Sequence, residues 1–186
     1  VVKVVDNHEV LVRCGRGYAP LTIPLKSGKA ILAVGADQKS SVCIARNGFA
    51  AVSQYIGDLN EYQTYQVFER QIEHFKGLFL FRPEIFAHDL NPDYHSARYA
   101  KKQTGQKTAV QHHHAHMAGC MAENKLTCDV IGVIYDGTGF GTDGAIWGGE
   151  FFIGSLSEFQ RAGHLEYVTL QGGDSAVKEP WRCAAC

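Results

Sequence analysis

The chain has 186 residues, 45% of them hydrophobic and 20% charged, with a formal net charge of −1. That composition describes a globular protein with a real core and excludes a disordered chain. The absence of a long basic run argues against a grip on nucleic acid, and no stretch reaches the roughly 18 apolar residues of a membrane span.

The chain opens Val1-Val2-Lys3-Val4-Val5, without Met and in strand character. It carries no leader of the charged-then-apolar kind and reads as a piece of a longer protein. Residues 1–13 read as a hairpin: Val1 to Val5, a turn at Asp6-Asn7, then Val10 to Arg13. Leu21 to Lys29, with Pro24, Ser27-Gly28 and Pro20 just before it, reads as a linker, and a domain boundary is expected near 28. From there the pattern predicts three antiparallel strands: Ala30–Gly35, Val42–Arg46 and, after the Asn47-Gly48 turn, Phe49–Gln54. A helix follows, capped by Asn60, with Tyr65, Phe68, Ile72, Phe75, Leu78 and Phe79 as its core stripe. Next come a strand over 83–89, a short helix capped by Asp93, and a strand over 108–111. A helix over 112 to about 124 and a strand over 129–135 follow. After the glycine-rich turn come a strand over 145–154 and strand-like stretches at 159–164 and 165–170, and a helix starts at Trp181.

Three antiparallel strands followed by helix, strand, helix, strand, helix is the order of an α/β ribonuclease-H-like lobe, a mixed sheet with flanking helices. Actin, sugar kinases and chaperone ATPases are built from such lobes. All of 29–186 is read as one lobe. Ligands of open sheets gather where strands end, which makes His88-Asp89 and the turn after Tyr135 places to look.

Four of the nine histidines fall within Gln111-His112-His113-His114-Ala115-His116. On a helix, positions i and i+4 share one face, about 5–6 Å apart at Cβ. His112 and His116 can therefore hold one metal ion, at the usual 2.0–2.1 Å or so from each imidazole nitrogen. The helix dipole at this end keeps the imidazoles neutral but disfavours a bare cation. Asp136 is the natural carboxylate to offset that, with a turn-forming role as its alternative. His113 and His114 contact a ligand or sit on the surface, and with Asp143 they complete the candidate catalytic groups. Gly137, Gly139 and Gly141 let backbone amides approach an anion, or serve turn geometry alone. Lys39, in the turn after the first lobe strand, is a candidate phosphate contact or a surface lysine. No P-loop and no nucleophile motif is present. The six cysteines lie mostly in apolar contexts and suit free thiols of the cytoplasm. Cys183 and Cys186 have C-x-x-C spacing, which means half a zinc site, a redox pair or coincidence.

Val110-Gln-His-His-His-Ala-His116, followed by Tyr135-Asp-Gly-Thr-Gly-Phe-Gly-Thr-Asp-Gly-Ala-Ile-Trp-Gly-Gly-Glu-Phe151, resembles the HypF family of hydrogenase maturation carbamoyltransferases. Gly35 to Lys39, Ser53 to Leu59, Ala87 to Tyr94, Gly172 to Asp174 and Glu179 to Arg182 are similar to that family in the same order. The resemblance implies that residues 1–28 are the tail of a YrdC-like domain plus linker. It implies that 29–186 are the first lobe of the carbamoyltransferase domain, with the second lobe absent. It further implies metal ligation (zinc or iron) by His112, His116 and Asp136, and use of ATP with magnesium and of carbamoyl phosphate. The carbamoyl group would pass through carbamoyl-adenylate to the C-terminal cysteine of the partner HypE, for cyanide ligand synthesis. Cys14 stands where the family often has an arginine, which weakens a ligand role for Arg13 or Arg16. The competing readings are an O-carbamoyl or tRNA threonylcarbamoyl-type transferase and a non-catalytic nucleotide-binding lobe. The last has no use for His112 and His116.

Overall fold

The computed structural model describes residues 1–15, 17–25 and 27–184. Arg16 lies outside the described residues. So does Cys186, and with it the C-x-x-C pair. The chain forms two compact units, Val1–His112 and His113–Cys186.

In the first unit, β1 (Val2–Val5) and β2 (His8–Leu11) make the predicted hairpin, with Val5 opposite His8. Asp6 and Asn7 take the turn at φ 49° and 62°, which short polar side chains tolerate best after glycine. β3 (Leu21–Pro24) follows. The segment read as a linker is therefore partly a strand, antiparallel to β6 from Leu21↔Val52 to Pro24↔Phe49. Proline is tolerated there because β3 is an edge strand, where one row of amides faces no neighbour. Then come β4 (Ile31–Ala33), β5 (Cys43–Arg46), β6 (Phe49–Val52), α1 (Tyr62–Leu78), β7 (Ile85–Asp89), α2 (His95–Lys102) and β8 (Gln106–Val110). They build a six-stranded sheet in the order β3-β6-β5-β4-β7-β8. β4 pairs antiparallel with β5 and parallel with β7, and β7 pairs parallel with β8. A first strand at the centre, a meander to one side and parallel strands to the other is the expected ribonuclease-H-like arrangement.

The core of this unit follows from periodicity. Leu32, Val34 and Ile44 come from the sheet, and Phe68, Ile72 and Phe75 from one face of α1, all at 3% exposure or less. Leu78, expected in the same stripe, is exposed because α1 ends there. Both predicted caps also differ. α1 starts after Glu61 without a side-chain cap, and Asn60 bonds to Asp58 instead. α2 is not capped by Asp93, which is exposed and paired with Arg98. The cap comes from Asp37, which is 2% exposed. Its carboxylate accepts from the His95 and Ser96 amides at 2.8 and 3.0 Å, and the Ser96 hydroxyl donates to the Gly35 carbonyl.

The second unit takes up helix α3 (His112–Glu123) from its second residue. It continues with β9 (Val130–Phe140), β10 (Ile146–Gly154), β11 (Phe159–His164), α4 (Asp174–Lys178) and α5 (Trp181–Ala184). The sheet is antiparallel, in the order β11-β10-β9. The stretch 29–186, read from the sequence as one lobe, is thus divided between two sheets. Two expectations fail locally. The glycine run is mostly strand: β9 continues through Gly137 and Gly139, and the turn shrinks to 141–144 with Gly144 at φ +81°. Residues 165–170 form no strand despite their composition.

Met117, Met121, Ile134, Trp147 and Phe152 form the core of this unit. α3 lies close over β9, where a Cβ on Gly132 would strike the Met117 sulfur. The other sheet face is exposed at Ile131, Val133 and Tyr135 of β9 and at Ile153 of β10.

Candidate metal centre

The parallel register of β7 and β8 sets the geometry at the start of α3. Asp89, the last residue of β7, stands opposite Val110, the last of β8. Two residues beyond Val110 the chain has turned into α3, which delivers His112 beside Asp89. His112 Nδ1 lies 2.6 Å from Asp89 Oδ2, and the side chains are 15% and 5% exposed. The other carboxylate oxygen of Asp89 accepts the Asn91 amide at 2.8 Å.

One turn along α3, His116 is 55% exposed, and its Nε2 lies 3.5 Å from Asp136 Oδ2. The close packing of α3 over β9 at Gly132 and Ile134 carries Asp136 to the first turn of the helix. Asp136 Oδ1 accepts the Gly137 amide at 2.6 Å. His112, His116 and Asp136 each offer one ligand atom, all within 4.8 Å of one another. Two imidazole nitrogens and a carboxylate oxygen suit a divalent ion with about 2.0–2.2 Å ligand distances.

The other predicted residues have defined places. His113 is fully buried, with Nε2 3.9 Å from Asp136 Oδ2 and its ring 6.2 Å from that of Trp147. His114 is 9% exposed, reaches the Ser155 carbonyl at 3.1 Å and packs its ring 4.8 Å from Phe159. It fastens α3 to the β10–β11 turn. Asp143 organises the β9–β10 turn: its carboxylate accepts the Ala145 amide and the Trp147 indole N–H, both at 2.9 Å. The Ala145 hydrogen bond leads in holding its pKa below the ordinary value, with the Trp147 indole and Arg161 adding to it and desolvation opposing. Gly141 is there for space, since a Cβ would collide with Trp147 and Asp143. Gly139 is a strand residue opposite Trp147, and Gly137 has open space where a Cβ would be. Lys39 is exposed, with φ 52°, and lines a cleft of about 390 Å³ together with Arg13, Cys14, Ser41 and Tyr55. The Arg13 guanidinium stands 5.2 Å from the centre of the Tyr55 ring.

Two arrangements lie beyond the reach of the sequence. One is the pairing of Asp89 with His112, where sequence marks Asp89 only as a strand end. The other is Glu150, 1% exposed and held by Arg161 through two hydrogen bonds of 2.6 and 3.0 Å. The Arg161 guanidinium also lies 3.9 Å from the Trp147 ring centre. Trp147, Glu150 and Asp136 line a cleft of about 570 Å³ with Gly148, Leu165 and Tyr167. The metal candidate Asp136 therefore stands at the wall of a pocket large enough for a small ligand.

Residues 26–123 match the family described as the HypF Kae1-like domain, and residues 132–186 match the second subdomain of the carbamoyltransferase Kae1-like domain. The chain belongs to the HypF family. Its similarity to carbamoyltransferase HypF of Synechocystis sp. is 44% identity over 99% of this chain and 24% of that protein. With carbamoyltransferase HypF2 of Cupriavidus necator the identity is 42%, over 96% of this chain and 23% of that protein. A crystal structure of full-length HypF in the phosphate- and nucleotide-bound form superposes with a TM-score of 0.92 at 43% identity, covering 97% of this chain and 24% of that one. The crystal structure of HypF from T. kodakarensis gives a TM-score of 0.87 at 34% identity, again over 97% and 24%. The chain thus spans about a quarter of the length of these HypF proteins. The start of the second-subdomain match at residue 132 falls just inside β9, in the three-stranded sheet. Among the described residues no helix is long and apolar enough to cross a membrane.

Proposed function

We propose that this chain is the part of a HypF-type carbamoyltransferase that holds a divalent metal, zinc or iron, through His112, His116 and Asp136. The observation that carries the reading is that these three donors lie within 4.8 Å of one another. In the whole protein, the carbamoyl group of carbamoyl phosphate is activated with ATP and magnesium as carbamoyl-adenylate. It is then transferred to the C-terminal cysteine of HypE, as a step toward the cyanide ligands of nickel-iron hydrogenase, in the cytoplasm. Kinship with proteins named carbamoyltransferase, and with a HypF crystallised in a phosphate- and nucleotide-bound form, supports this reading.

A metal at this position supplies Lewis-acid polarisation of a carbonyl or a hold on a phosphate oxygen. The chain's own residues do the rest. Asp136 brings a negative charge to the N-terminal turn of α3, where the helix dipole would otherwise oppose a cation. The cleft beside it is lined by Trp147, Glu150 and Tyr167. Lys39 provides a positive charge at a separate cleft, suited to an anion such as a nucleotide phosphate.

The test uses the full-length protein with HypE. Wild type is expected to contain stoichiometric metal by elemental analysis and to carbamoylate the HypE C-terminal peptide, read by mass spectrometry. The His112→Ala, His116→Ala double variant is expected to lose both. A metal-free wild type, together with undiminished transfer by the double variant, would overturn the reading.

A further inference from the structure

We propose that Asp89 is the positioning residue of the metal centre, fixing which nitrogen of His112 faces the ion. This role rests on the metal reading above and adds to it a residue outside the ligand set. Asp89 is a carboxylate with 5% of its side chain exposed, at the end of β7. Burying a carboxylate in such a place is costly unless its oxygens are satisfied. Here one oxygen accepts the Asn91 amide at 2.8 Å, and the other lies 2.6 Å from His112 Nδ1. An ionised carboxylate only accepts. The proton of a neutral His112 therefore sits on Nδ1, and the lone pair sits on Nε2. On the metal reading, Nε2 is then the nitrogen that His112 offers to an ion.

The placement is rigid as well as chemically apt. Asp89 pairs with Val110 across the β7–β8 ladder, so the carboxylate and the root of α3 are held by the same sheet. The neighbouring His88 bonds to the Asp89 carbonyl at 2.7 Å, which pins the backbone at this point. A histidine on the first turn of a helix, with nothing behind it, would divide its population between two tautomers and several ring orientations. Asp89 removes that freedom before any ion arrives, which raises affinity by lowering the cost of ordering.

The experiment uses the whole protein and zinc as the probe, with two readouts. The first is the tautomer of His112 in metal-free protein, from long-range nitrogen–proton correlations on the histidine ring. Wild type is expected to show the Nδ1-protonated form, and Asp89→Ala a mixture. The second is zinc affinity by competition with a chromophoric chelator. Asp89→Ala is expected to weaken it by about 10- to 100-fold at unchanged stoichiometry. Asp89→Asn keeps one accepting oxygen without the charge and is expected to fall between the two; it carries the comparison if the alanine variant does not fold. Zinc binding and tautomer both unchanged in the variants would overturn the proposal while leaving the metal reading intact. A wild type that binds no zinc would instead overturn the metal reading, and the tautomer measurement would still decide whether Asp89 sets the ring.

Discussion

The cap that Asp37 places on α2 can be tested by removing it. Asp37→Ala deletes two charge-assisted hydrogen bonds, to the His95 and Ser96 amides, at a site 2% exposed. Hydrogen bonds to charged groups contribute about 1.5–3 kcal/mol each, and an ordinary N-cap lost to alanine costs about 0.5–2 kcal/mol. His95 is half-buried and its amide regains some water, whereas Ser96 is fully buried and its amide does not. The two losses therefore sum to less than their separate maxima, and about 3 kcal/mol is expected, or roughly a hundredfold in the folding equilibrium of the first unit. Asp37→Asn retains one accepting oxygen and is expected to cost about half as much. The assay is urea unfolding followed by far-ultraviolet circular dichroism. Tryptophan fluorescence is the wrong probe, since Trp147 and Trp181 both belong to the second unit. Amide exchange at Ser96 gives the local version, with protection falling by the same factor. A loss smaller than about 0.5 kcal/mol in the alanine variant would refute the assignment of Asp37 as the cap.

The other predictions concern the core, the turn and its titration. Phe68→Ala, at a fully buried position on α1, is expected to cost about 3–5 kcal/mol in the same urea experiment. Gly141→Ala forces a Cβ into Trp147 and Asp143 and is expected to destabilise the second unit by about 1–3 kcal/mol, visible as a shifted tryptophan emission on urea unfolding. Asp143 has a lowered pKa, so its contribution is complete above the ordinary value of about 3.8–3.9 and is lost as pH falls through the lowered one. Acid titration of the tryptophan signal is expected to show this step, and Asp143→Asn to remove it. Tyr99 is pushed up to about 12, by burial first and by Glu73 and Glu69 next. Its contribution is complete below the ordinary value of about 10 and is lost as pH rises toward 12. Tyr99→Phe is expected to remove one tyrosine from the late-ionising part of an alkaline absorbance titration, a part to which Tyr65, also raised by burial and Glu69, contributes.

The features legible in the sequence are those set by local pattern. The aromatic spacing of α1, the Asn47-Gly48 hairpin and the apolar runs of β4 and β7 together give the strand order of a ribonuclease-H-like sheet. His112 and His116 are legible for the same reason, since a helical repeat places them on one face. What escapes depends on partners far away in the chain. β3 reads as a linker because its strand character comes from β6 at its side, not from its own Leu-Thr-Ile-Pro. Asn60 and Asp93 look like caps because they stand just before helices. The cap of α2, however, comes from 58 positions away, and no local rule reports it. The glycines at 137 and 139 suggest a loop, but pairing with β10 overrides their intrinsic preference. Asp89 meets His112 only because two parallel strands share a register.

The outward face of β9 and β10 has a practical consequence. Ile131, Val133, Tyr135 and Ile153 are each about half exposed or more, and they lie together on one side of a pleated surface. Water in contact with that much hydrocarbon favours self-association, and association driven this way weakens on cooling and strengthens with excluded salts such as sulfate. The protein is therefore expected to show a light-scattering signal that grows with concentration, warmth and sulfate, and that Ile131→Lys suppresses. Cold, dilute, sulfate-free buffer is the condition in which the measurements above are best made.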